Sequence, residues 1–456
     1  MNVCVVGGGA SARTAAGRIR RLDQQARINL FSKQTEIGYA PCEPPFVLRG
    51  CIAAWDDIFY PGKFLEERNI DVHLDTEVTD IDRNKKRIIA GGESYPYDKA
   101  VLCLGTIPFI PPIPGLDGKN EFTVSTDIAD DKVLEKIIPR YTSAGVIGAG
   151  AIGIEMCLAL VARGYHPVYL LDMLENILPA SLDKDMADRV EEVMGEKGIE
   201  LIMSARIKGI RTKSDKKHIL LPDRELEVDF IVLATGARPN VELARNAGIR
   251  IGEIGGIAVN QYLQTSDPDI YAAGDCIENW SILTGDKIRN LMVTTAGITG
   301  DIAGRNLMSG NSFPYRGALM TFVIDIFDHQ IGTVGFTEKA AREKGLDVGS
   351  ATTTALTARP LYGGKPIHYK LIGDRKTRTL VGAQVISEQA IQGTINELAV
   401  IAAERIPLAN LMAIDFPYSP LVGLETVVGA IARLLPRLKG NKFKQERLGE
   451  YEENIA

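Results

Sequence analysis

The pattern of apolar and polar positions repeats one arrangement in two parts of the chain. The first copy is a short apolar strand, Val3–Val6, then a glycine loop and a helical pattern from Arg13 to Leu22. The second copy is the strand Ala144–Ile147, another glycine loop and a helical pattern over about 154–163. A strand, a glycine turn and a helix in this order are typical of a dinucleotide-binding unit. The repeat predicts two such units in one chain.

The first glycine loop reads G-x-G-x-x-A. Gly7 permits a tight turn, Gly9 lets a pyrophosphate approach the backbone, and Ala12 keeps the helix close to its strand. The next strand ends in Ser32 and Lys33, where such units usually carry an acidic residue for the ribose. Serine still hydrogen-bonds one hydroxyl, so this departure weakens the inference of dinucleotide binding without removing it.

The second glycine loop matches the full fingerprint G-x-G-x-x-G, at Gly148, Gly150 and Gly153. Asp172 stands at the end of the following strand, where a carboxylate accepts hydrogen bonds from both hydroxyls of an adenosine ribose. This position favours NADH and leaves NADPH open. A solvated aspartate at a strand end is the alternative.

Size and composition narrow the class of protein. The 456 residues exceed what one hydrophobic core organises, which predicts two or three domains. A net charge of -6, without a basic run interleaved with aromatics, argues against nucleic acid as a partner. The most apolar stretch, 144–161, carries Glu155 and is broken by glycines, so no membrane span is expected. The N-terminus is unlike a signal peptide, so we expect a cytoplasmic protein. The six cysteines do not have zinc-ligand spacing and suit a reducing compartment, so no metal site is expected.

Three further blocks complete the pattern of a known family. They are Leu104-Gly105-Thr106, Ala234-Thr235-Gly236-Ala237-Arg238-Pro239-Asn240, and Thr265–Asp275, which ends in Ala-Gly-Asp. In this order, with the two glycine loops, they resemble the two-dinucleotide flavoprotein disulfide reductases over nearly the whole chain. In that family the aspartate at Asp275 bonds the ribityl chain of the flavin, and Ala296 lies where a backbone N–H meets the isoalloxazine. The resemblance implies FAD and NADH as cofactors, with Gly105 and Gly236 among the residues that bind them.

The resemblance also implies the fold and the domain order. The expected class is α/β, with two Rossmann-like dinucleotide-binding domains, one for FAD and one for NAD, and an α+β C-terminal dimerisation domain. The expected boundaries are 1–112 with 242–318 for a discontinuous FAD domain, 113–241 for the NAD domain, 319–440 for the dimerisation domain and 441–456 for a polar tail. A homodimer that shares its active site between subunits follows from this family.

Cys42 lies where this family places its redox centre, just after the second strand, and is expected to begin a helix beside the flavin. A helix N-terminus stabilises a thiolate, the form that attacks sulfur. The dithiol members need a second cysteine five positions later, which is Val47 here, and Cys51 is too far along the chain. The segment therefore resembles the single-cysteine branch of coenzyme A disulfide reductases, persulfide and polysulfide reductases, NADH oxidases and NADH peroxidases. Buried structural roles are expected for the other cysteines: Cys4, Cys103, Cys157 and Cys276.

Acid–base groups divide this branch. Its oxidases and peroxidases usually carry a histidine in the first glycine loop, where this chain has Ala10, which favours sulfur over oxygen chemistry. Tyr418, in an Asp-x-x-Tyr-x-Pro block, resembles the tyrosine of coenzyme A disulfide reductases that comes from the other subunit and assists the leaving thiolate. Tyr362 stands near a segment that supplies a second tyrosine, in an ambiguous register. Packing in a dimer core is the alternative for both tyrosines.

Coenzyme A carries a diphosphate and a 3′-phosphate, which need cations. By resemblance, Thr14, Arg18 and Arg21 match positions that hold coenzyme A in its disulfide reductases, whereas Gly38 and Pro41 replace polar residues there. A solvated helix face explains the arginines about equally well, so coenzyme A as the carrier stays open.

The sequence thus predicts an NADH-oxidising flavoprotein that reduces a small persulfide, polysulfide or coenzyme A disulfide through Cys42. One alternative is an NADH oxidase or peroxidase in which Cys42 cycles through a sulfenic acid. Another is a flavin electron-transfer subunit, an NADH:acceptor oxidoreductase in which the cysteine is incidental.

Overall fold

The computed structural model describes residues 1–59, 65, 67–124, 128–417 and 427–439. Among these residues, none of the helices combines the length and the apolar character needed to cross a bilayer.

The strands are numbered in chain order. They are β1 (Asn2–Val6), β2 (Arg27–Phe31), β3 (Asp71–His73), β4 (Val78–Asp82), β5 (Arg87–Ala90), β6 (Glu93–Pro96), β7 (Lys99–Leu102), β8 (Thr106–Pro108), β9 (Glu121–Thr123), β10 (Ala144–Ile147), β11 (Val168–Leu171), β12 (Ile199–Ile202), β13 (Gly209–Lys213), β14 (Lys216–Leu220), β15 (Glu225–Val228), β16 (Phe230–Leu233), β17 (Ala237–Pro239), β18 (Ile270–Ala272), β19 (Asn279–Trp280), β20 (Lys287–Ile288), β21 (Phe322–Ile326), β22 (His329–Gly335), β23 (Val348–Leu356), β24 (Pro366–Asp374) and β25 (Leu380–Ser387).

The helices are numbered in the same way. They are α1 (Ala10–Leu22), α2 (Pro44–Arg49), α3 (Ile128–Ile137), α4 (Ala151–Ala162), α5 (Lys184–Glu196), α6 (Glu242–Asn246), α7 (Val293–Ser309), α8 (Glu338–Glu343), α9 (Gln392–Ala403), α10 (Leu408–Leu411) and α11 (Val427–Leu434).

The chain divides into two compact units. The first contains Met1–Ile177 and Glu191–Ala318, and the second contains Leu178–Val190 and the described residues from Leu319 onward.

Two five-stranded parallel sheets organise the first unit, in the orders β18-β7-β1-β2-β3 and β12-β11-β10-β16-β9. Their central strands are almost wholly apolar and buried, as expected for parallel strands covered on both faces. In each sheet the strand before a glycine loop pairs with the strand that follows its helix, ending at Val6 opposite Phe31 and at Ile147 opposite Leu171. Each glycine loop therefore lies beside the end of the next strand, and the two predicted Rossmann-like folds are confirmed.

The second unit is built on an antiparallel sheet in the order β21-β22-β25-β24-β23. Helix α9 packs close to β22: a Cβ added at Gly332 would lie 2.4 Å from the Cγ1 of Ile395. The segment Leu178–Val190 is fixed in this unit by Asp183, whose Oδ2 accepts hydrogen bonds from Gln384 Nε2 at 2.7 Å and from the Glu338 N–H at 3.0 Å. This mixture of an antiparallel sheet and helices confirms the α+β class expected for the C-terminal region.

Candidate active site

The first glycine loop has the geometry of a phosphate cradle. Gly7 has φ +126°, and a Cβ there would lie 2.1 Å from the Cys103 carbonyl oxygen, so only glycine fits this turn. No atom lies within 4 Å of a Cβ position on Gly9, which leaves this backbone open to a ligand. Gly9 caps α1 without any side-chain hydrogen bond. The first-turn N–H groups therefore suit a pyrophosphate.

The other residues predicted for this site surround the loop. Ala12 is fully buried where α1 crosses the sheet, and Ser32 is buried with its Oγ 2.7 Å from a Cβ position on Gly8. Lys33, one residue further, is exposed. Gly105 follows β7 with φ +64° and open space at its Cβ position. The loop, the serine and this turn thus all follow the carboxyl ends of the adjacent parallel strands β1, β2 and β7.

Asp275 carries an unpaired buried acceptor. Its Oδ1 has no hydrogen-bond partner among the described residues, and burial raises the pKa of the carboxyl to about 6. The turn before it brings the chain against α1, since a Cβ on Gly274, at φ +81°, would lie 2.5 Å from Ser11 Oγ. A buried acceptor without a donor is unfavourable. The hydroxyl of a flavin ribityl chain is such a donor, so these residues fit FAD.

The start of α7 contains Ala296, the residue predicted to face the isoalloxazine. The Ala296 N–H already donates to the Met292 carbonyl at 2.9 Å, within the first turn of the helix. The N–H groups of Val293, Thr294 and Thr295 precede any helical acceptor. These three N–H groups are open to a ligand, and the contact of the Ala296 N–H with an isoalloxazine stays a prediction.

The second glycine loop has two positions at which the surrounding backbone leaves no room for a side chain. Gly148 has φ +111° with Ala234 O 2.3 Å from its Cβ position, and a Cβ on Gly153 would lie 1.9 Å from the Gly148 carbonyl oxygen. Gly150 and Gly236 have open space, and Gly236, after β16, has φ +94°. The loop can thus approach a pyrophosphate closely, as the fingerprint predicts.

Asp172 is oriented by this second loop. Its Oδ2 accepts a hydrogen bond from the Ala149 N–H at 2.7 Å, and its Oδ1 accepts one from the Leu174 N–H at 2.8 Å. A carboxylate oxygen accepts more than one hydrogen bond, so both retain capacity for ribose hydroxyls. The carboxylate and the phosphate cradle therefore fit an NAD adenosine together.

Cys42 is exposed in the turn that precedes α2. The helix begins at Pro44 with Glu43 as its N-cap, so the expectation that Cys42 begins it is wrong by two residues. Proline suits a first helical position, and the αL conformation of Gly50 ends the helix after six residues.

The electrostatics of Cys42 also differ from expectation. Its pKa is raised, first because the surrounding protein desolvates the thiolate, and then because the carboxylates of Glu43 and Glu155 repel it. A backbone hydrogen bond to Cys42 lowers the pKa, but desolvation and Glu43 each raise it by more. In the protein without cofactors, Cys42 is a thiol that must lose its proton before it attacks.

Residues of α4, the helix of the second glycine loop, support the cysteine segment. Arg163 Nε donates to the Leu48 carbonyl at 2.5 Å, which joins the C-terminus of α4 to α2, and Glu155 lies on the same helix. Sequence reasoning missed both, because more than 100 residues separate them from Cys42. Sequence reasoning did not single out Glu43 either, although its position next to Cys42 was a signal that could have identified it.

The four buried cysteines have the properties predicted for structural thiols. Burial raises the pKa of Cys4 and of Cys276 to about 12, and it raises that of Cys103 and of Cys157 as well. Protonated buried thiols are poor nucleophiles, so their structural assignment is confirmed.

The two predicted tyrosines differ in what the structure describes. Tyr418 lies outside the described residues. Tyr362 ends a short 3₁₀ turn, Pro360–Tyr362, and is 44% exposed beside Leu361, which is 74% exposed. An exposed tyrosine with an apolar neighbour is typical of an interface.

The predicted coenzyme A contacts lie on α1. Thr14 Oγ1 donates to the Ala10 carbonyl at 2.8 Å, and Arg21 is exposed with its Nε 3.3 Å from the Gly17 carbonyl oxygen. Arg18 differs, because its Nε donates to Asp301 Oδ1 at 2.5 Å. The spacing of 14, 18 and 21 places them on one face of the helix, but the sequence did not indicate this ion pair.

Comparison with known proteins agrees with this geometry. Residues 1–297 match the family model described as pyridine nucleotide-disulphide oxidoreductase, and residues 323–428 match the dimerisation domain of the same family. The chain is 35% identical over 434 residues to an NADH oxidase of Methanocaldococcus jannaschii, covering 93% of this chain and 96% of that protein. It is 33% identical over 428 residues to a CoA-dependent NAD(P)H sulfur oxidoreductase of Pyrococcus abyssi, covering 92% and 94%.

A solved structure is also similar. The NAD-dependent persulfide reductase from A. fulgidus superposes with a TM-score of 0.90 at 31% identity, over 95% of this chain and 82% of that one. The family implies FAD and NAD(P)H as cofactors, and an enzyme of the oxidoreductase class. With two glycine loops, a buried acceptor for the flavin chain and a dimerisation domain in one sequence, this chain belongs to the pyridine nucleotide-disulphide oxidoreductase family.

Proposed function

We propose that this chain is an NADH-dependent flavoprotein that reduces a persulfide, a polysulfide or coenzyme A disulfide through Cys42. The observation that carries the proposal is the exposed thiol of Cys42 after the first dinucleotide unit, with buried Val47 where a dithiol enzyme needs its second cysteine. The names of the relatives from P. abyssi and A. fulgidus, a sulfur oxidoreductase and a persulfide reductase, support the same chemistry.

The cofactors would be held by the two parallel sheets. FAD would lie in the domain formed by 1–112 and 242–318, and NADH in 113–241. The FAD contacts would be Gly7, Gly9, Ala12, Ser32, Lys33, Gly105, Asp275 and the start of α7 near Ala296; the NADH contacts would be Gly148, Gly150, Gly153, Asp172 and Gly236. When bound, FAD supplies the electron pair of NADH to the sulfur centre.

The residues of the chain then act on sulfur. Cys42 loses its proton, and its thiolate attacks the outer sulfur of a persulfide RSSH; the S–S bond breaks, Cys42 becomes a persulfide, and RS⁻ leaves. Two electrons and one proton then release hydrogen sulfide and restore the Cys42 thiolate. In the balanced reaction, NADH, one proton and RSSH give NAD⁺, RSH and hydrogen sulfide.

A partner subunit would complete the site. The match to a dimerisation domain supports a homodimer, with 319–440 as the dimerisation region. Tyr418 of the second subunit would protonate the leaving RS⁻, and exposed Tyr362 would lie at the interface. Coenzyme A would be the carrier thiol, with Thr14, Arg18 and Arg21 toward its phosphates.

A second candidate function is NADH oxidase, which the name of the M. jannaschii relative favours. Cys42 would then cycle through a sulfenic acid. The small Ala10 in the first glycine loop offers no acid–base group for oxygen chemistry, which weighs against this candidate.

The test compares two rates of NADH oxidation by purified, FAD-loaded protein. One assay contains coenzyme A persulfide in oxygen-free buffer, and the other contains air without a sulfur substrate. Fast anaerobic and slow aerobic turnover supports the sulfur reductase. The reverse result refutes it and assigns the chain to the oxidases.

A further inference from the structure

Helices α1 and α7 approach each other through glycine. A Cβ on Gly300 would lie 2.3 Å from the Ser11 carbonyl oxygen, and a Cβ on Gly304 would lie 2.8 Å from the Ala15 carbonyl oxygen and 3.2 Å from the Cβ of Arg18. Backbones in such contact cannot slide or separate without losing packing. Side chains that project from both helices along this contact are therefore held in a fixed register.

That register places Asp301 of α7 against Arg18 of α1. Both Nε and Nη2 of Arg18 lie 2.5 Å from Asp301 Oδ1, and the two side chains are only 20% and 24% exposed. The other carboxylate oxygen, Oδ2, lies 3.3 Å from the Nε of Arg305, whose guanidinium stacks over the Phe313 ring at 4.7 Å. Asp301 thus bridges two guanidinium groups.

We propose that Asp301 determines how strongly this chain binds coenzyme A, because its carboxylate occupies the guanidinium that a phosphate of the carrier would otherwise take. The inference rests on coenzyme A as the carrier in the proposed function. A phosphate that approaches Arg18 must either displace Asp301 or bind N–H groups of the guanidinium that Asp301 does not contact. Asp301 thereby lowers the affinity for coenzyme A without excluding it, because exposed Arg21 still offers a cation to its phosphates.

The local net charge also predicts that Asp301 weakens the binding of a phosphate. Arg18, Arg305 and Asp301 together carry one net positive charge, and exposed Arg21, one turn along α1, adds a second. Replacing Asp301 with asparagine raises this local sum by one and leaves the Nε and Nη2 donors of Arg18 with a neutral amide oxygen, which a phosphate displaces more easily than a carboxylate. A bidentate guanidinium–phosphate contact is a strong charge-assisted pair.

The test titrates coenzyme A into FAD-loaded protein by calorimetry, at fixed ionic strength. The variants are Asp301→Asn, Arg18→Gln and the double variant. We expect Asp301→Asn to bind coenzyme A about three- to tenfold more tightly, or about 0.7 to 1.4 kcal/mol. The double variant should show no such gain over Arg18→Gln, because the benefit acts through Arg18.

A matched control removes the carboxylate of another ion pair. Asp188 pairs with Lys184 at 2.5 Å on the exposed face of α5, so Asp188→Asn makes the same chemical change in a different ion pair. It should leave the dissociation constant unchanged. Flavin absorbance and thermal melting confirm that each variant is folded.

Two results would overturn the inference. If Asp301→Asn changes the dissociation constant by less than about twofold, or gains as much without Arg18, Asp301 is not the determinant. If neither the original protein nor Asp301→Asn binds coenzyme A, the carrier assignment fails as well. Turnover with glutathione persulfide would still test the sulfur reductase separately.

Discussion

Replacing Asp172 with alanine should specifically impair the use of NADH. Its carboxylate is fixed by the Ala149 N–H at 2.7 Å and the Leu174 N–H at 2.8 Å, so it is aimed before the nucleotide arrives. A hydrogen bond to a charged group contributes about 1.5 to 3 kcal/mol. Losing one such bond to the ribose raises the KM for NADH about 12- to 150-fold. NADPH should lose less, because its 2′-phosphate no longer meets a carboxylate.

The assay measures the KM of both nucleotides with ferricyanide as acceptor, which does not require Cys42. Asp172→Asn is the matched control, since it removes the charge but keeps one acceptor oxygen, and its KM for NADH should be intermediate. An Asp172→Ala protein whose KM for NADH stays within twofold of the original would refute the assignment of Asp172 to the ribose.

Three other predictions follow from single contacts. In a Cys51→Ser background, Glu43→Gln should lower the pKa of Cys42 and speed its alkylation at neutral pH. The control Glu36→Gln, at an exposed position, should leave the alkylation rate unchanged. Equal rates in the two variants would show that Glu43 does not raise the pKa of Cys42. Because burial raises the pKa of Asp275 from 3.8 to about 6, the folded FAD-free protein binds that proton more tightly than the unfolded chain, so its stability should fall as pH rises from about 4 to 6. Asp275→Asn should remove this decline in denaturant melts, and an unchanged decline would contradict it. Gly153→Ala should destabilise the protein by roughly 1 to 3 kcal/mol, because its Cβ would lie 1.9 Å from Gly148 O. As a control, Gly195→Ala in α5, where no atom lies within 4 Å of the added Cβ, should stabilise the protein by about 0.4 to 1 kcal/mol. Thermal melts that show no difference between the two variants would argue against the tight packing at Gly153.

Local sequence patterns predicted the parts of this protein that local rules control. The two glycine loops, their strands and the buried cysteines are where apolar runs and glycine spacing placed them, because a tight turn and a close approach each demand a particular residue. The start of α2 was misplaced because Pro44, two residues after Cys42, is the better first helical residue.

Contacts between distant residues left no such signal. Arg18 and Asp301 are 283 residues apart, and Lys370 meets Asp185 at 2.7 Å across 185 residues. Neither residue of a pair reveals its partner, because a charged side chain on a helix or a strand has the same local sequence pattern whether it is solvated or paired. The contribution of Glu155 to the raised pKa of Cys42 also had this origin, because Glu155 lies on a distant helix, whereas desolvation and the adjacent Glu43 contribute more.

Sulfur reduction is expected to pass through Cys42, and a pair of cysteine variants tests this expectation. Cys42→Ser and Cys51→Ser each remove one exposed thiol from the same segment. NADH oxidation with coenzyme A persulfide in oxygen-free buffer should fall about a thousandfold or more in Cys42→Ser, because the nucleophile is lost, and stay near the original rate in Cys51→Ser. Both variants should retain FAD. A Cys42→Ser protein that keeps its full rate of persulfide reduction would show that Cys42 is not the nucleophile.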